Sequence, residues 1–466
     1  MRILMKFGGT SVADADCINR VADIVQEHHK KGDEVAVVVS AQRGVTDVLI
    51  EVAGRLPYAN DDSAIAPLIE ALSKRHMTTL EGAAPDHARE VGVQIEERLN
   101  DLKNILSAVY NLRELTPRSR DYVISFGERL LAPVLGAALR QRGIASTVMD
   151  GCEAGILTTS NHGESTALPE SDERIQQRVG NLLKSDVPVI MGFMGCSREG
   201  VLTTLGRSGS DYSASIIGAG IDADEIWIFT DVDGIMTCDP RIIKDARVIP
   251  SLSYLEVMEL SFFGAKVMHP RSIEPAMRKN ILVRVKNTFN PAHGGTTIVR
   301  NGHRDSRVVK ALTYIDKVTA INICGAQMIG RPGVAKAIFT ILANHDVNVM
   351  MISQGSSEAN ISLIVDETHA ASAVRALGEL TKTGVVRQVS HNHDVCAVAV
   401  VGAGMAGAPG TGGRIFTALG NANINVMMIS QGSSEANISF VVSQSDGPRA
   451  VRVLHDEFRL SEASDE

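Results

Sequence analysis

Residues 348–362, NVMMISQGSSEANIS, recur without a single change at 425–439. The same shift of 77 residues carries Gly325-Ala326-Gln327-Met328 onto Gly402-Ala403-Gly404-Met405, so a whole module is repeated without gaps. Each copy reads as a strand (318–324; 395–401), a Gly-containing turn and a helix (about 335–343; about 413–419). A strand, the SQGSSE turn, a second strand and another helix follow. The order βαββαβ is the ferredoxin-like split unit. Two copies are too few for a solenoid, so the pair is expected to pack side by side. The second copy has no clear last strand: the residues from Arg459 onward are short and acidic. It must borrow that strand from elsewhere or fray.

The first 290 residues or so follow a different rule. Apolar runs at 35–39, 187–193, 226–229 and 281–285 alternate with helical patterns, notably 122–142 and 211–219. This alternation predicts an α/β three-layer sandwich with a mostly parallel sheet and helices on both faces. Ligands of such folds sit at the carboxyl ends of the strands. The expected division is therefore 1–297 as one α/β domain, 298–309 as a linker, and 310–390 and 391–466 as the two repeats. His303-Arg304-Asp305 inside the linker spells a kinase catalytic-loop triplet. That motif needs Asn five residues on, where this chain has Lys310, so the linker reading holds.

Composition narrows the class. A net charge of −8 argues against nucleic acid as a main partner. Six scattered cysteines without a Cys-x-x-Cys pair predict reduced thiols, with neither a disulfide framework nor a zinc site. No run reaches bilayer-spanning length by inspection and no cleavable leader is evident, so a cytoplasmic protein without a membrane partner is expected.

Chemistry-bearing residues cluster after the strands. Lys6-Phe7-Gly8-Gly9-Thr10-Ser11 follows the first apolar run, and a Gly-Gly turn opening a helix lets backbone N–H groups close on a phosphate. It is not a Walker loop, which needs Gly-Lys-Ser/Thr. Asp14 or Ser11 would cap the helix. Ser40 and Thr46, after the 35–39 strand, would either bind a substrate anion or cap the next helix. Glu128, on an apolar helix beside Gly127, would hold an ammonium group or simply face solvent. The segment 203–211, TTLGRSGSD, makes a second anion-binding helix start, with Arg207 as a planar fork and Asp211 as a carboxylate. Thr230-Asp231-Val232-Asp233 with Asp239-Pro240-Arg241, and then Gly264-Ala265-Lys266, complete a set suited to phosphoryl transfer by charge neutralisation.

Together, KFGGTS, SFGER, RSGSDYSA, TDVDG, DPR and GAKVMHP occur in the order of the aspartate kinases, and the chain resembles that branch of the amino-acid kinase family over essentially its whole length. The repeats resemble the paired ACT domains that follow its catalytic domain. The resemblance implies that Lys6, Phe7, Gly8, Gly9, Thr230, Asp231, Met236, Arg241 and Lys266 hold ATP. Lys6 would neutralise the transferring phosphoryl group and Asp211 would organise the site. Ser40, Thr46 and Ser210 would contact L-aspartate, Glu128 its ammonium and Arg207 its α-carboxylate. Mg²⁺ would be carried by the ATP phosphates, with no metal site on the chain itself. Two positions depart from the family: Ser208 replaces a usual Gly, and Met236-Thr237-Cys238 replaces Tyr-Thr-Thr, leaving a softer surface for adenine.

The resemblance also implies feedback by an end-product amino acid, threonine favoured over lysine, at Gln354, Ser357, Gln431 and Ser434. Assembly as a homodimer through the repeats, or a tetramer, is expected, because each module has sheet edges to cover. No dinucleotide-binding segment follows Arg459, so a fused homoserine dehydrogenase is not expected. The competing readings are a kinase for another amino acid such as glutamate, and an amino-acid sensor with a degenerate kinase domain.

Overall fold

A computed structural model describes residues 1–263, 268–302, 307–355, 359–384 and 386–462. Its contacts divide the chain into two compact units: 1–235 with 250–254 and 268–302, and 236–249 with 255–267 and 303–466.

The first unit is built on an eight-stranded sheet. Its strands are β1 (Arg2–Phe7), β2 (Glu34–Val39), β3 (Ser146–Met149), β4 (Val187–Met191), β7 (Glu225–Thr230), β8 (Ser251–Ser253), β9 (Leu282–Asn287) and β10 (Thr296–Val299). They lie in the order β3-β4-β2-β1-β7-β9-β10-β8. Every neighbouring pair is parallel except β9 with β10. β5 (Met194–Cys196) and β6 (Leu202–Thr204) form a separate hairpin. The chain steps from β1 to β2 on one side and later returns to β7 on the other. β1 is thus the switch point, where the carboxyl ends of an open sheet leave room for a ligand. Residues 3–7 of β1 are all buried, as a parallel strand covered on both faces demands.

The structure corrects three expectations here. The apolar stretch predicted as one helix over 122–142 is two helices, Pro117–Ile124 and Phe126–Arg140, meeting at Ser125. Across 117–140 it is also long and apolar enough to cross a bilayer, contrary to the sequence reading, but 89% of that window is buried inside the protein, so it is a core element. Finally, Cys152 and Cys196 form a disulfide with their Cα atoms 5.1 Å apart. They are brought together by backbone contact. Thr158 N–H donates to the Cys196 carbonyl at 2.7 Å, and a Cβ on Gly151 would lie 1.9 Å from the Met194 carbonyl oxygen. Cys17, Cys238, Cys324 and Cys396 are free.

The second unit centres on a six-stranded antiparallel sheet of β11 (Ala311–Cys324), β12 (Val349–Gln354), β13 (Asn360–Asp366), β14 (Gln388–Val401), β15 (Met428–Gln431) and β16 (Asn437–Ser443). Its order is β12-β13-β11-β14-β16-β15. The two long central strands are shared. Residues 318–324 of β11 pair with β13 on one side and with the start of β14 on the other. Residues 311–315 pair instead with 397–401, whose other edge takes β16. The last strand missing from the second repeat is therefore the first half of β11. A register shift between Ile315 and Val318 marks the changeover. Each repeat has its own core: Ile321, Ile338, Leu363 and Leu377 in the first, Val398, Ile415, Phe440 and Leu454 in the second. Cys238, with Ile242 and Ile243 against it, joins the second of these cores.

Candidate active site

Lys6 stands near the carboxyl end of β1 and is only 8% exposed. A buried ammonium needs a partner, and Asp211 supplies it: Nζ lies 2.5 Å from Oδ1. Asp211 is in the first turn of the helix Gly209–Gly220, where the macrodipole favours a carboxylate. The N-cap of that helix, Ser208, makes no side-chain capping bond and has φ +54°. This left-handed backbone is one that glycine adopts most readily, and here serine adopts it.

The Gly8-Gly9 turn is packed on both sides. A Cβ on Gly9 would lie 2.9 Å from the Ala41 carbonyl oxygen, so glycine lets the turn after β1 close against the turn after β2. Gly8 N–H donates to Phe229 O at 3.4 Å. The helix that follows starts only at Ala15, and Asp14 caps it by accepting from Cys17 N–H. Its positive end already faces a carboxylate, while the helix start at Gly209 carries Asp211 in its first turn and no side-chain cap from Ser208. The Phe7 side chain, predicted beside ATP, is instead fully buried and stacked on Phe229 with centroids 4.6 Å apart.

Glu128 is 3% exposed on the helix Phe126–Arg140. Its Oε1 accepts from Ala41 N–H at 3.1 Å, while Oε2 has no hydrogen-bond partner among the described residues. Burial pushes its carboxyl up to about 8. The surface-glutamate alternative is thereby excluded. Gly127 fits beside Ala41 and Thr46: a Cβ there would meet Ala41 Cβ at 2.6 Å and Thr46 Oγ1 at 3.3 Å. Ser40 follows β2 and donates its N–H to Phe7 O at 3.1 Å. Ser210 is buried against Gly192, the residue after β4, where a Cβ would come within 3.0 Å of Ser210 Oγ. Phe193, at φ +71°, passes its N–H to Ser213 Oγ at 2.9 Å. Such backbone in a non-glycine residue marks strain beside a site, and nothing in the sequence announced it. Arg207 is exposed. Thr230 ends β7, its hydroxyl 3.2 Å from Asp231 Oδ1.

The first unit thus brings together Lys6, Gly8, Gly9, Ser40, Thr46, Glu128, Ser210, Asp211, Thr230 and Asp231 on elements that meet at the carboxyl end of its sheet. Met236 and Arg241 belong to the second unit. Met236 bridges to Val248, and the exposed Arg241 is held by Asp239 in a bidentate pair, with Nη2 2.5 Å from Oδ2. Lys266 and Ser357 lie outside the described residues, as does the His303-Arg304-Asp305 triplet. In the second unit Gln354 borders a cavity of about 330 Å³ lined also by Met328, Arg331, Val334 and Ile361. Gln431 and Ser434, at the equivalent turn of the second repeat, are exposed.

The amino acid kinase family profile matches residues 1–287, and an ACT domain profile matches 321–380 and 398–458. Aspartokinase 3 of Arabidopsis thaliana is 34% identical, the match covering 98% of this chain and 81% of that protein. The chain belongs to the amino acid kinase family, among the aspartokinases. The bifunctional aspartokinase/homoserine dehydrogenase 1 of Zea mays is 37% identical over 98% of this chain and 50% of its own length. The chain spans about half the length of the curated bifunctional plant relatives it matches. Among solved structures, E. coli aspartokinase III superposes with a TM-score of 0.82 in its R-state complex with aspartate and ADP. In its T-state complex with lysine and aspartate the score is 0.79. Both comparisons are at 28% identity over 98% of this chain and 99% of that one.

Proposed function

We propose that this chain transfers the γ-phosphoryl group of ATP to the β-carboxylate of L-aspartate, giving 4-phospho-L-aspartate. The observation that carries the reading is the ion pair of buried Lys6 with Asp211 at the switch point of the sheet, with the half-satisfied Glu128 carboxyl on the neighbouring helix. The β-carboxylate is ionised at neutral pH and needs no general base. One of its oxygens bonds to the γ-phosphorus as the bond to the ADP oxygen breaks, and Lys6 offsets the charge that spreads over the transferred group. Asp211 holds the ammonium in place beforehand. Glu128, protonated near neutral pH when the site is empty, releases its proton to solvent as the substrate ammonium approaches Oε2. Arg207 takes the α-carboxylate, and Ser40, Thr46 and Ser210 orient the acceptor. Among the described residues no cluster of three or more His, Cys, Asp or Glu could cage a cation. Mg²⁺ would ride on the ATP phosphates, where it would supply charge neutralisation.

The cavity beside Gln354 is the proposed effector site of the first repeat, with Gln431 and Ser434 its counterpart in the second. E. coli aspartokinase III is described with lysine bound. Here, however, Arg331 borders the cavity, and a guanidinium disfavours a second ammonium. Threonine is therefore the preferred effector. The edge strands β12 and β15 carry Ile352 and Ile429, 48% and 46% exposed, which supports self-association through the repeats. The compartment in this reading is the cytoplasm.

The test is acyl-phosphate formation trapped with hydroxylamine, using L-aspartate and L-glutamate separately, with and without threonine or lysine. Aspartate-only activity suppressed by threonine is the expected result. Activity on glutamate alone overturns the substrate, and inactivity with both shifts the reading to an amino-acid sensor.

A further inference from the structure

Asp121 lies in the helix Pro117–Ile124, is fully buried, and has no part in the chemistry above. Its carboxylate gathers two segments remote in sequence. Oδ2 accepts from His162 Nδ1 at 2.7 Å, and the two oxygens accept from Gly163 N–H at 3.0 and 3.1 Å. Thr204 donates twice, from its N–H at 3.2 Å and from its hydroxyl at 2.5 Å. A buried anion is costly unless fully hydrogen-bonded, and charge-assisted bonds of this kind fix geometry tightly. A role confined to filling the core would be met more cheaply by an apolar residue.

The segments it ties are informative. Thr204 is the last residue of β6, and Leu205-Gly206-Arg207 follow at once. Ser165 N–H donates to the Thr204 carbonyl at 2.9 Å, and a Cβ on Gly206 would fall 2.9 Å from the Gly163 carbonyl oxygen. The approach to Arg207 is therefore pinned by Asp121 and by the loop that Asp121 itself holds. On the other side, the Asp121 helix runs through Ser125 straight into the helix that carries Glu128. One rigid helical pair thus carries Glu128 and the carboxylate that fixes the Arg207 loop.

We propose that Asp121 is a positioning residue that sets the distance between Glu128 and Arg207, and so governs how the enzyme reads the ammonium and carboxylate on the α-carbon of its amino-acid substrate. This rests on the aspartate kinase reading. It makes Asp121 a determinant of acceptor affinity and handedness, with little influence on ATP.

The test compares wild type, Asp121→Asn and Thr204→Val in the full chain by hydroxamate assay, with thermal melting alongside. For Asp121→Asn the expected result is a rise of tenfold or more in KM for L-aspartate. KM for ATP should stay within twofold, and the preference for L- over D-aspartate should fall several-fold. Thr204→Val keeps the carboxylate and removes one donor; it should move the same parameters in the same direction by about threefold, and it serves if Asp121→Asn does not fold. Equal changes in both KM values, or an unchanged L/D ratio in a folded variant, overturn the proposal. A wild-type chain that does not phosphorylate aspartate overturns the kinase reading and this inference together. An active wild type with unaffected variants overturns this inference alone.

Discussion

The two units bury charge in different ways. In the first, Lys6 and Asp211 face each other as an ion pair, but Glu128 keeps one oxygen without a hydrogen-bond partner among the described residues and sits far above the usual carboxylate range. In the second, the buried Lys310 and Glu256 face each other at 3.4 Å, and Glu256 also accepts from Ala403 N–H at 2.7 Å. That pair ties the start of β11 to the 402–405 turn, while the cavity beside Gln354 is lined by that amide and the Arg331 guanidinium. A reacting centre keeps a buried charge unfinished so that substrate can finish it. The second unit settles its buried charges internally.

The largest test of this separation uses the disulfide. Cys152 and Cys196 are 44 residues apart, a loop whose closure stabilises by about 4 kcal/mol in the chain-entropy account. Reduction, or Cys196→Ser, should lower the melting transition of the first unit by about 10 °C and leave that of the second in place. A common shift of both transitions would mean that they melt as one.

The next effect is pH-dependent. The Glu128 carboxyl titrates near 8 in the folded protein, raised by burial from its ordinary 4.5. The folded state therefore holds a proton that the unfolded chain releases between those values. Its contribution to stability is complete below about pH 4.5 and lost as pH rises through 8. Without substrate, melting temperature should drop several degrees more between pH 5 and 8.5 in wild type than in Glu128→Gln. Parallel curves would show that Glu128 ionises freely.

The smallest effect separates the repeats from each other. Gln354→Ala should raise the effector concentration for half-inhibition about tenfold with kcat unchanged. Gln431→Ala, on a turn identical in sequence, should raise it less than threefold. Equal effects would mean that the two copies bind alike, and no effect of Gln431→Ala that only the first copy binds.

Much of the fold was legible in the sequence because it depends on local pattern. The strands at 35–39 and 226–229, the helix after Gly209 and the duplicated module all follow from periodicity and repetition. The sequence also showed the second repeat to be one strand short, leaving open whether it borrows that strand or frays. The site was legible wherever a residue type and its place after a strand coincided, as at Lys6 and Asp211. What stayed hidden depends on distant backbone coming close. Nothing near Cys152 announces Cys196, nothing near Asp121 announces Thr204, and Phe7 reads as a turn residue until Phe229 is seen stacked on it. Arg241, which the resemblance assigns to ATP, is paired with Asp239 two residues away.

The traded strands have a consequence for the chain as it is made. When 311–324 leave the ribosome, they carry one strand for each module, yet neither module can close. The first must wait for 388–392, and the second for 395–401 and 437–443. Until then Ala311, Leu312, Tyr314 and Ile315 lack the 397–401 strand that pairs with them and leave an apolar edge open to any other nascent chain in reach. A chain stopped at 394 would complete the first module and keep that edge for good, so a late nonsense codon should yield aggregates rather than an unregulated enzyme.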